Sequence, residues 1–369
     1  MVDRVTIAYF ISSHGYGHAA RAAAIMVELK NLNPALAFEI FTAVPAWFFQ
    51  ESLVFPFQYH AIVTDIGLVQ KTSLQEDLNE TILRLSEFYP FNTDLIDDLV
   101  FRIHESKCRF IISDIAPLGL AVAQHIGLPS LLVENFTWDW IYQSYANAEG
   151  RLKQYASYLS DIFVTADYRI QTEPVCMSYD ADLITAPVCR RIKQSALKIR
   201  QQLAIPKSKK MVTITMGGIP WKYTFLQKLT DHKHIQFIIP GAANKIQKQD
   251  NLILLPNRSG IFHPDLVNAS DAVIGKTGYS TLAEVFHGGI PFMYVARPDF
   301  PESEILARFI QQQMYGIPLT ELELNECSFL SQLPEILDLR RLKRNSMNGS
   351  VQAAEFIHSI LQNMASQVD

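Results

Sequence analysis

Short apolar runs alternate along this chain with longer stretches of helical period. The runs are rich in Val, Ile and Phe and predict strands, while the stretches between them repeat apolar residues at the spacing of a helix. Strands are predicted in the first half at 5–12, 37–43, 57–63, 109–113, 129–134 and 161–166, and helices at 18–32, at 75–105 with a break near Pro90, and at 118–126. Parallel sheets covered by helices on both faces have this pattern.

A second series of the same kind begins after Pro206. Its predicted strands lie at 211–216, 235–239, 251–255, 271–274 and 291–296, and its helices at 221–231, 279–287 and 302–313. A polar helix predicted at 192–203 separates the two series. The pattern therefore predicts an α/β chain of two Rossmann-like doubly wound domains facing a central cleft, because ligands of such sheets bind beyond the carboxyl ends of the strands. We expect an N-terminal domain over 1–187, a second domain over 188–349, and a C-terminal helix within 350–369 that packs back on the first domain.

Composition limits the classes of partner. The chain has 369 residues, enough for about two domains, and 32 basic against 37 acidic residues give a net charge of -5. That balance provides no general field for nucleic acid or an anionic membrane. No apolar run approaches the length of a membrane span, so no integral membrane segment is expected. The four cysteines form no C-x-x-C pair, which fits a cytoplasmic location better than a disulfide framework.

A glycine-rich loop follows the first predicted strand. Gly15, Gly17 and Ala20 match the G-x-G-x-x-G/A pattern, in which small residues let a ligand approach the backbone at a helix start. A dinucleotide site would also need an acid at the end of the second strand, where Thr42 and Ala43 stand instead. A nicotinamide cofactor is therefore not expected, and neither is any other cofactor.

The most distinctive residue of this loop region is His18, at the predicted start of the helix. The positive end of the helix dipole favours a neutral imidazole there, and a neutral imidazole can take a proton from a nucleophile. Asp114 ends the fourth strand, which should lie beside the first, and an Asp next to a His orients the ring and stabilises its protonated form. The alternatives are that His18 only packs the loop and that Asp114 caps the following helix.

Aromatic residues collect at the end of the fifth predicted strand. Asn135 and Trp138 belong to the segment Asn-Phe-Thr-Trp-Asp-Trp over 135–140. Aromatic faces commonly line sugar or base sites, and packing is the equally open alternative.

The second series carries a candidate site for a phosphorylated ligand. Gly217 and Gly218 follow one of its strands and allow close approach. A second strand leads into a glycine-rich turn and a helix start, without the spacing of a phosphate-binding P-loop. Such a helix start, with a lysine beside it, suits a diphosphate without a metal ion. The candidate residues of this turn and of the next strand end are Lys276, Thr277, Gly278, Tyr279, Ser280, Thr281, Glu284 and Asp299.

Four ordered motifs carry a family resemblance. They are His-Gly-Tyr-Gly-His at 14–18, Ser113-Asp114 with Pro117, Asn-Phe-Thr-Trp-Asp at 135–139, and Gly-Lys-Thr-Gly-Tyr at 275–279. The chain resembles the GT-B class of nucleotide-sugar glycosyltransferases and is more closely similar to the glycosyltransferase-like N-terminal region of plant L-arabinokinases.

The resemblance implies roles for individual residues. His18 matches the catalytic base of the plant transferases and Asp114 its Asp partner, while Glu284 matches their ribose-binding Glu, and Ser280 and Thr281 their diphosphate contacts. Lys276 replaces the histidine that those enzymes use beside the phosphates.

The expected function is a metal-independent, inverting transfer of a sugar from a nucleotide diphosphate sugar, with UDP as the expected nucleotide, to a small-molecule or lipid-linked hydroxyl acceptor. Two alternatives remain open: a nucleotide-sugar hydrolase on the same fold, and a non-catalytic sugar-nucleotide-binding regulatory module.

Overall fold

Two compact units make up the computed structural model, which describes residues 5–72, 74–218 and 221–366. Unit 1 comprises Met1–Val69, Glu76–Cys189 and Met347–Asp369, and unit 2 comprises Gln70–Gln75 and Arg190–Ser346. The termini of the predicted domain ranges, 1–4 and 367–369, lie outside the described residues.

The elements follow one another in the alternating order of an α/β protein. From the amino terminus they are β1 Thr6–Ile11, α1 Gly17–Leu32, β2 Ala37–Thr42, α2 Ala46–Ser52, β3 Gln58–Ala61, α3 Leu78–Phe88, α4 Thr93–Glu105, β4 Cys108–Asp114, α5 Pro117–Ile126, β5 Ser130–Glu134, α6 Trp138–Tyr145, α7 Leu152–Phe163, β6 Tyr168–Thr172 and β7 Leu183–Thr185. They continue with α8 Ala196–Gln202, β8 Lys210–Thr215, α9 Leu226–Leu229, β9 Ile235–Pro240, β10 Gln247–Gln249, β11 Leu252–Leu255, α10 His263–Ala269, β12 Ala272–Lys276, α11 Tyr279–Gly288, β13 Phe292–Val295, α12 Pro301–Gln313, β14 Gly316–Leu319, α13 Glu321–Glu326, a 3-10 turn Ser328–Ser331, α14 Leu333–Asp338 and α15 Gly349–Ser366.

The sheet of unit 1 is parallel and has the order β3-β2-β1-β4-β5-β6-β7 within the described residues. Its central strands are buried on both faces, and every position of β1 is buried. Because β1 and β4 are neighbours in register, Ile11 pairs with Asp114 at their carboxyl ends. The last helix, α15, contacts α1 and β7 of the same unit.

The strand predicted at 161–166 is wrong. The apolar residues Ile162 and Phe163 belong to α7, whose buried positions also include Leu152, Tyr155 and Leu159. These positions recur every three or four residues, so they form the apolar face of an amphipathic helix. The strand that follows, β6, begins only at Tyr168.

The sheet of unit 2 has the order β10-β11-β9-β8-β12-β13-β14 within the described residues, with β10 antiparallel and the other pairs parallel. Its strands β8 and β12 approach closely, since a side chain at Gly275 would collide with the carbonyl oxygen of Thr215. The prediction of two doubly wound α/β sheets is therefore confirmed. The helix predicted at 221–231 is shorter than expected and covers only Leu226–Leu229.

No helix within the described ranges is both long enough and apolar enough to cross a membrane.

Candidate active site

His18 is the second residue of α1, at the point where the chain turns from β1 into the helix. The turn uses Gly15 with a positive φ of 74°, a backbone conformation that glycine adopts without strain, and Gly17 is the first residue of the helix. His18 is only 6% exposed. Its imidazole is therefore held by protein groups.

Asp114 is the partner of His18. The Nδ1 atom of His18 lies 2.9 Å from Oδ1 of Asp114, which is completely buried. Nη2 of Arg21 also lies 3.3 Å from this nitrogen, but the carboxylate is nearer and can only accept a hydrogen bond. We therefore assign the hydrogen to Nδ1 and the lone pair to Nε2. Asp114 does not cap the next helix, because the N-cap of α5 is Ala116 and no side chain bonds there.

Arg21, which sequence reasoning missed, is the second residue that binds the carboxylate of Asp114. Its Nε donates to Oδ2 of Asp114 at 2.8 Å, and its Nη2 donates to Oδ1 at 2.6 Å. Its Nη1 donates to Asn135 Oδ1 at 2.8 Å and to Thr172 Oγ1 at 3.1 Å. The signal was present in the sequence, since Arg21 follows His18 by three residues and so shares its helix face.

Arg21 also fixes the charge of Asp114. Burial alone would raise the pKa of this carboxyl, but the charge and hydrogen bonds of Arg21, helped by His18, hold the pKa below its ordinary value. Asp114 is therefore an anion in a two-pronged ion pair with a guanidinium that is 1% exposed.

A second buried carboxylate, Asp65, lies on the segment that follows β3. Sequence reasoning missed it too, although it stands close after a predicted strand end. The indole Nε1 of Trp138 donates to its Oδ2 at 3.1 Å, and its Oδ1 is buried without a hydrogen-bond donor among the described residues. Burial raises the pKa of Asp65 to about 6, while Ser12, His18 and Trp138 act in the opposite direction.

Aromatic rings line this site. Phe136 meets His18 edge-on at 5.8 Å between ring centroids and meets Trp138 at 5.3 Å. Gly67 has a positive φ of 60°, and a side chain there would come within 2.9 Å of His14 Nδ1 and 3.1 Å of Trp138. The candidate residues Asn135 and Trp138 are both buried, and they contact Arg21 and Asp65, respectively.

The glycine turn of unit 2 lies against the predicted lysine. Gly217 has a positive φ of 77°, and a side chain there would lie 4.0 Å from Cε of Lys276. Gly218 follows in the same partly buried turn. The ends of β8 and β12 therefore bring these predicted donor residues together.

The amino terminus of α11 carries the remaining turn residues. Gly278 is its N-cap, and no side chain caps the helix. Thr277 is buried, and its hydroxyl donates to the carbonyl oxygen of Val295 at 3.1 Å. Tyr279 and Thr281 are buried, whereas Ser280 is partly exposed.

Glu284 lies one turn into α11 and contacts two nitrogen-bearing side chains of its own unit. Arg190 Nη2 donates to Oε1 at 3.0 Å, and His263 Nδ1 lies 2.8 Å from Oε2. Burial would raise the pKa of Glu284, but His263 and Arg190 lower it. Both oxygens of Glu284 thus already accept a hydrogen bond. Asp299, by contrast, is exposed in the loop after β13.

No group of three or more His, Cys, Asp or Glu side chains in the described part of the chain could hold a metal ion.

Comparison with known proteins places the chain in a family. The model of glycosyl transferase family 1 matches residues 5–334. The chain belongs to this family. It is therefore a glycosyltransferase, with the two-sheet architecture of the GT-B class.

One curated relative and two solved structures illustrate what the chain is similar to. The chain is 25% identical to an L-arabinokinase of Arabidopsis thaliana over 358 residues, which cover 96% of this chain and 34% of the relative. The chain thus spans about a third of that relative's length. The calicheamicin glycosyltransferase matches with a TM-score of 0.64 at 11% identity over 98% of this chain and 99% of its own. A UDP-glucosyltransferase of Polygonum tinctorium matches with a TM-score of 0.62 at 12% identity over 98% of this chain and 99% of its own.

Proposed function

We propose that the protein transfers a sugar from a nucleotide diphosphate sugar to a hydroxyl acceptor, with inversion at the anomeric carbon and without a metal ion. The observation that carries the proposal is the buried contact between His18 Nδ1 and Asp114 Oδ1 at 2.9 Å, in a chain of glycosyl transferase family 1. UDP is the proposed nucleotide, because the name of the Polygonum neighbour contains it.

His18 is the proposed base. Its Nε2 takes the proton of the acceptor hydroxyl, and the acceptor oxygen forms a bond to the anomeric carbon from the side opposite the diphosphate. The bond from that carbon to the diphosphate oxygen breaks, and the leaving group departs with the electron pair. Asp114 keeps the ring in the tautomer with a free Nε2 and stabilises the imidazolium.

Unit 2 is the proposed donor site. The first amides of α11 have no side-chain cap, so they can donate to the diphosphate, and Lys276 adds a positive charge that replaces a metal ion. Glu284, fixed by Arg190 and His263, is the proposed acceptor for the ribose hydroxyls through lone pairs that remain on its oxygens.

The test is a screen of UDP-sugars and hydroxyl acceptors, run with excess EDTA, on the wild type and the His18→Ala variant. We expect turnover in EDTA for the wild type, and for the variant a loss of about a hundredfold or more with nearly unchanged UDP affinity. Release of free sugar without any transfer would replace the proposal with the hydrolase. Binding of donor without turnover in any combination would replace it with the regulatory module.

A further inference from the structure

The negative charge of Asp114 is already compensated before any reaction occurs. Arg21 binds both of its oxygens, at 2.8 and 2.6 Å. A carboxylate and a guanidinium in such contact have no net charge, and their joint field falls off quickly with distance. Asp114 can therefore orient His18, but it supplies less negative potential to a protonated His18 than an isolated carboxylate would.

Asp65 has no arginine or lysine counterion among the described residues. It is 3% exposed, and the groups that donate to it are neutral, namely the indole of Trp138 at 3.1 Å and the hydroxyl of Ser12. Its electrostatic interaction with His18 is attractive, and its interaction with Asp114 is repulsive. The geometry agrees, because the Trp138 ring that donates to Asp65 packs edge-on against Phe136, which packs edge-on against His18. Asp65 and His18 therefore belong to one buried cluster.

The segment that carries Asp65 is anchored by hydrogen bonds before and after this residue. Thr64, one residue before it, donates to the carbonyl oxygen of Ile11 at 2.8 Å. Two residues after it, the carbonyl oxygen of Gly67 accepts from the Tyr142 hydroxyl at 2.7 Å. The chain is therefore anchored on both sides of Asp65.

Several polar or titratable groups from different elements interact with Asp65. Those that act on it are Ser12 after β1, His18 on α1, Asp114 on β4 and Trp138 on α6, and its own charge raises the pKa of Tyr89 and Tyr142. Both tyrosines are buried and stay neutral. The imidazole of His18 is the cation-forming member of this group.

We propose that Asp65 is a positioning residue for the transfer reaction, which supplies the negative potential that stabilises protonated His18 while Asp114 and Arg21 fix the orientation of the ring. The inference rests on the proposed function, in which His18 takes the proton of the acceptor. No further group enters the proton balance, since the proton stays on His18 Nε2 until it leaves to solvent.

Removal of this charge has two linked consequences. In the Asp65→Asn variant the imidazole of His18 is a weaker base, so the plateau value of kcat/KM falls by about three- to tenfold. For the same reason the acid limb of the rate profile moves to lower pH, by at most about one pH unit, and the displacement is largest above about pH 6, where Asp65 is ionised. A merely structural role would lower the plateau and leave the acid limb in place.

The experiment compares Asp65→Asn with Thr64→Val, which removes a neighbouring buried hydrogen bond but no charge. Profiles of kcat/KM against pH are measured with the UDP-sugar and acceptor that the wild type accepts. A lower plateau with a shifted limb in Asp65→Asn alone supports the inference. An unshifted limb in Asp65→Asn, or an equal shift in Thr64→Val, overturns it.

A second readout does not depend on turnover. The imidazole signals of ¹⁵N-labelled protein, with His18 assigned through His18→Gln, report the pH at which this ring takes up a proton. We expect a lower midpoint in Asp65→Asn than in the wild type, by at most about one pH unit. The same midpoint in both overturns the inference even if transfer is observed, and a shifted midpoint upholds the charge coupling even if transfer is not.

Discussion

Arg21→Met tests how far the buried pair with Asp114 supports unit 1. The substitution keeps most of the side-chain volume, but among the described residues it leaves the fully buried carboxylate with only the hydrogen bond from His18. Loss of one partner from a buried ion pair costs about 3–5 kcal/mol, because the other charge remains buried. Asp114→Asn should lower the free energy of unfolding by a similar amount, because it leaves the guanidinium of Arg21 buried without a carboxylate partner.

The two substitutions together should cost less than their sum, by about 2–3 kcal/mol, since neither charge is then left alone. The effect of Arg21→Met should also depend on pH. The folded-state pKa of Asp114 is lowered, so its stabilisation is present above the ordinary carboxyl pKa and is lost as pH falls through the lowered value. In Arg21→Met burial raises that pKa instead, so the carboxyl takes up a proton in mild acid and the destabilisation is smaller at pH 5 than at pH 7.

Urea unfolding followed by tryptophan fluorescence measures these differences. Trp221 is in unit 2 and the other three tryptophans are in unit 1, so a Trp221→Phe background makes the signal report unit 1 alone. Arg21→Lys, which keeps the charge but not the two-pronged geometry, is the matched control and should lose less. This account of the pair would be refuted if the costs of the two single substitutions added up to the cost of the double substitution within about 0.5 kcal/mol and if the cost of Arg21→Met were the same at pH 5 and pH 7.

Two further predictions concern Asp65 and Lys276. The folded-state pKa of Asp65 is raised from 3.8 to about 6, so its ionisation destabilises the fold as pH rises through that window. The free energy of unfolding of Asp65→Asn relative to that of the wild type should therefore rise by about 2–3 kcal/mol between pH 4 and pH 8, measured by the same urea assay; a constant difference across that range would contradict it. Lys276→Met should weaken binding of UDP about ten- to a hundredfold by calorimetry but leave uridine unaffected, while the control Lys228→Met should change neither. Equal losses for UDP and uridine would mean that Lys276 does not contact phosphate.

The elements that the sequence predicted well are those with one strong signal. Alternating apolar runs and helical stretches located the central strands β1 and β4, and hence the edge where His18 and Asp114 meet. Pro90 correctly marked the break between α3 and α4. At 161–166 the same apolar signal failed, because a short run of apolar residues is common to a strand and to the buried face of a helix.

The site was predicted only where a motif drew attention to a residue. Arg21 lies in a run of alanines with no motif of its own, and only the helix spacing from His18 relates the two. Asp65 lies in a segment without regular structure, where no periodicity tells a buried side chain from an exposed one. Their roles depend on burial and on partners far away in the chain, and neither quantity can be obtained from local sequence.

The two carboxylates around His18 differ in what they contribute to the fold, and that difference bears on function. Asp114 with Arg21 is stabilising in its ionised form, whereas the raised pKa of Asp65 means that its ionised form destabilises unit 1. A buried carboxylate that weakens the fold when ionised could be replaced by asparagine with a gain in stability, so its presence is better explained by a role in the reaction. Suppose that Asp65→Asn proves more stable and less active, with a shifted acid limb. The charge of Asp65 in the wild type then both lowers the stability of unit 1 and makes His18 a stronger base, because it is an uncompensated charge in the same buried cluster as the imidazole.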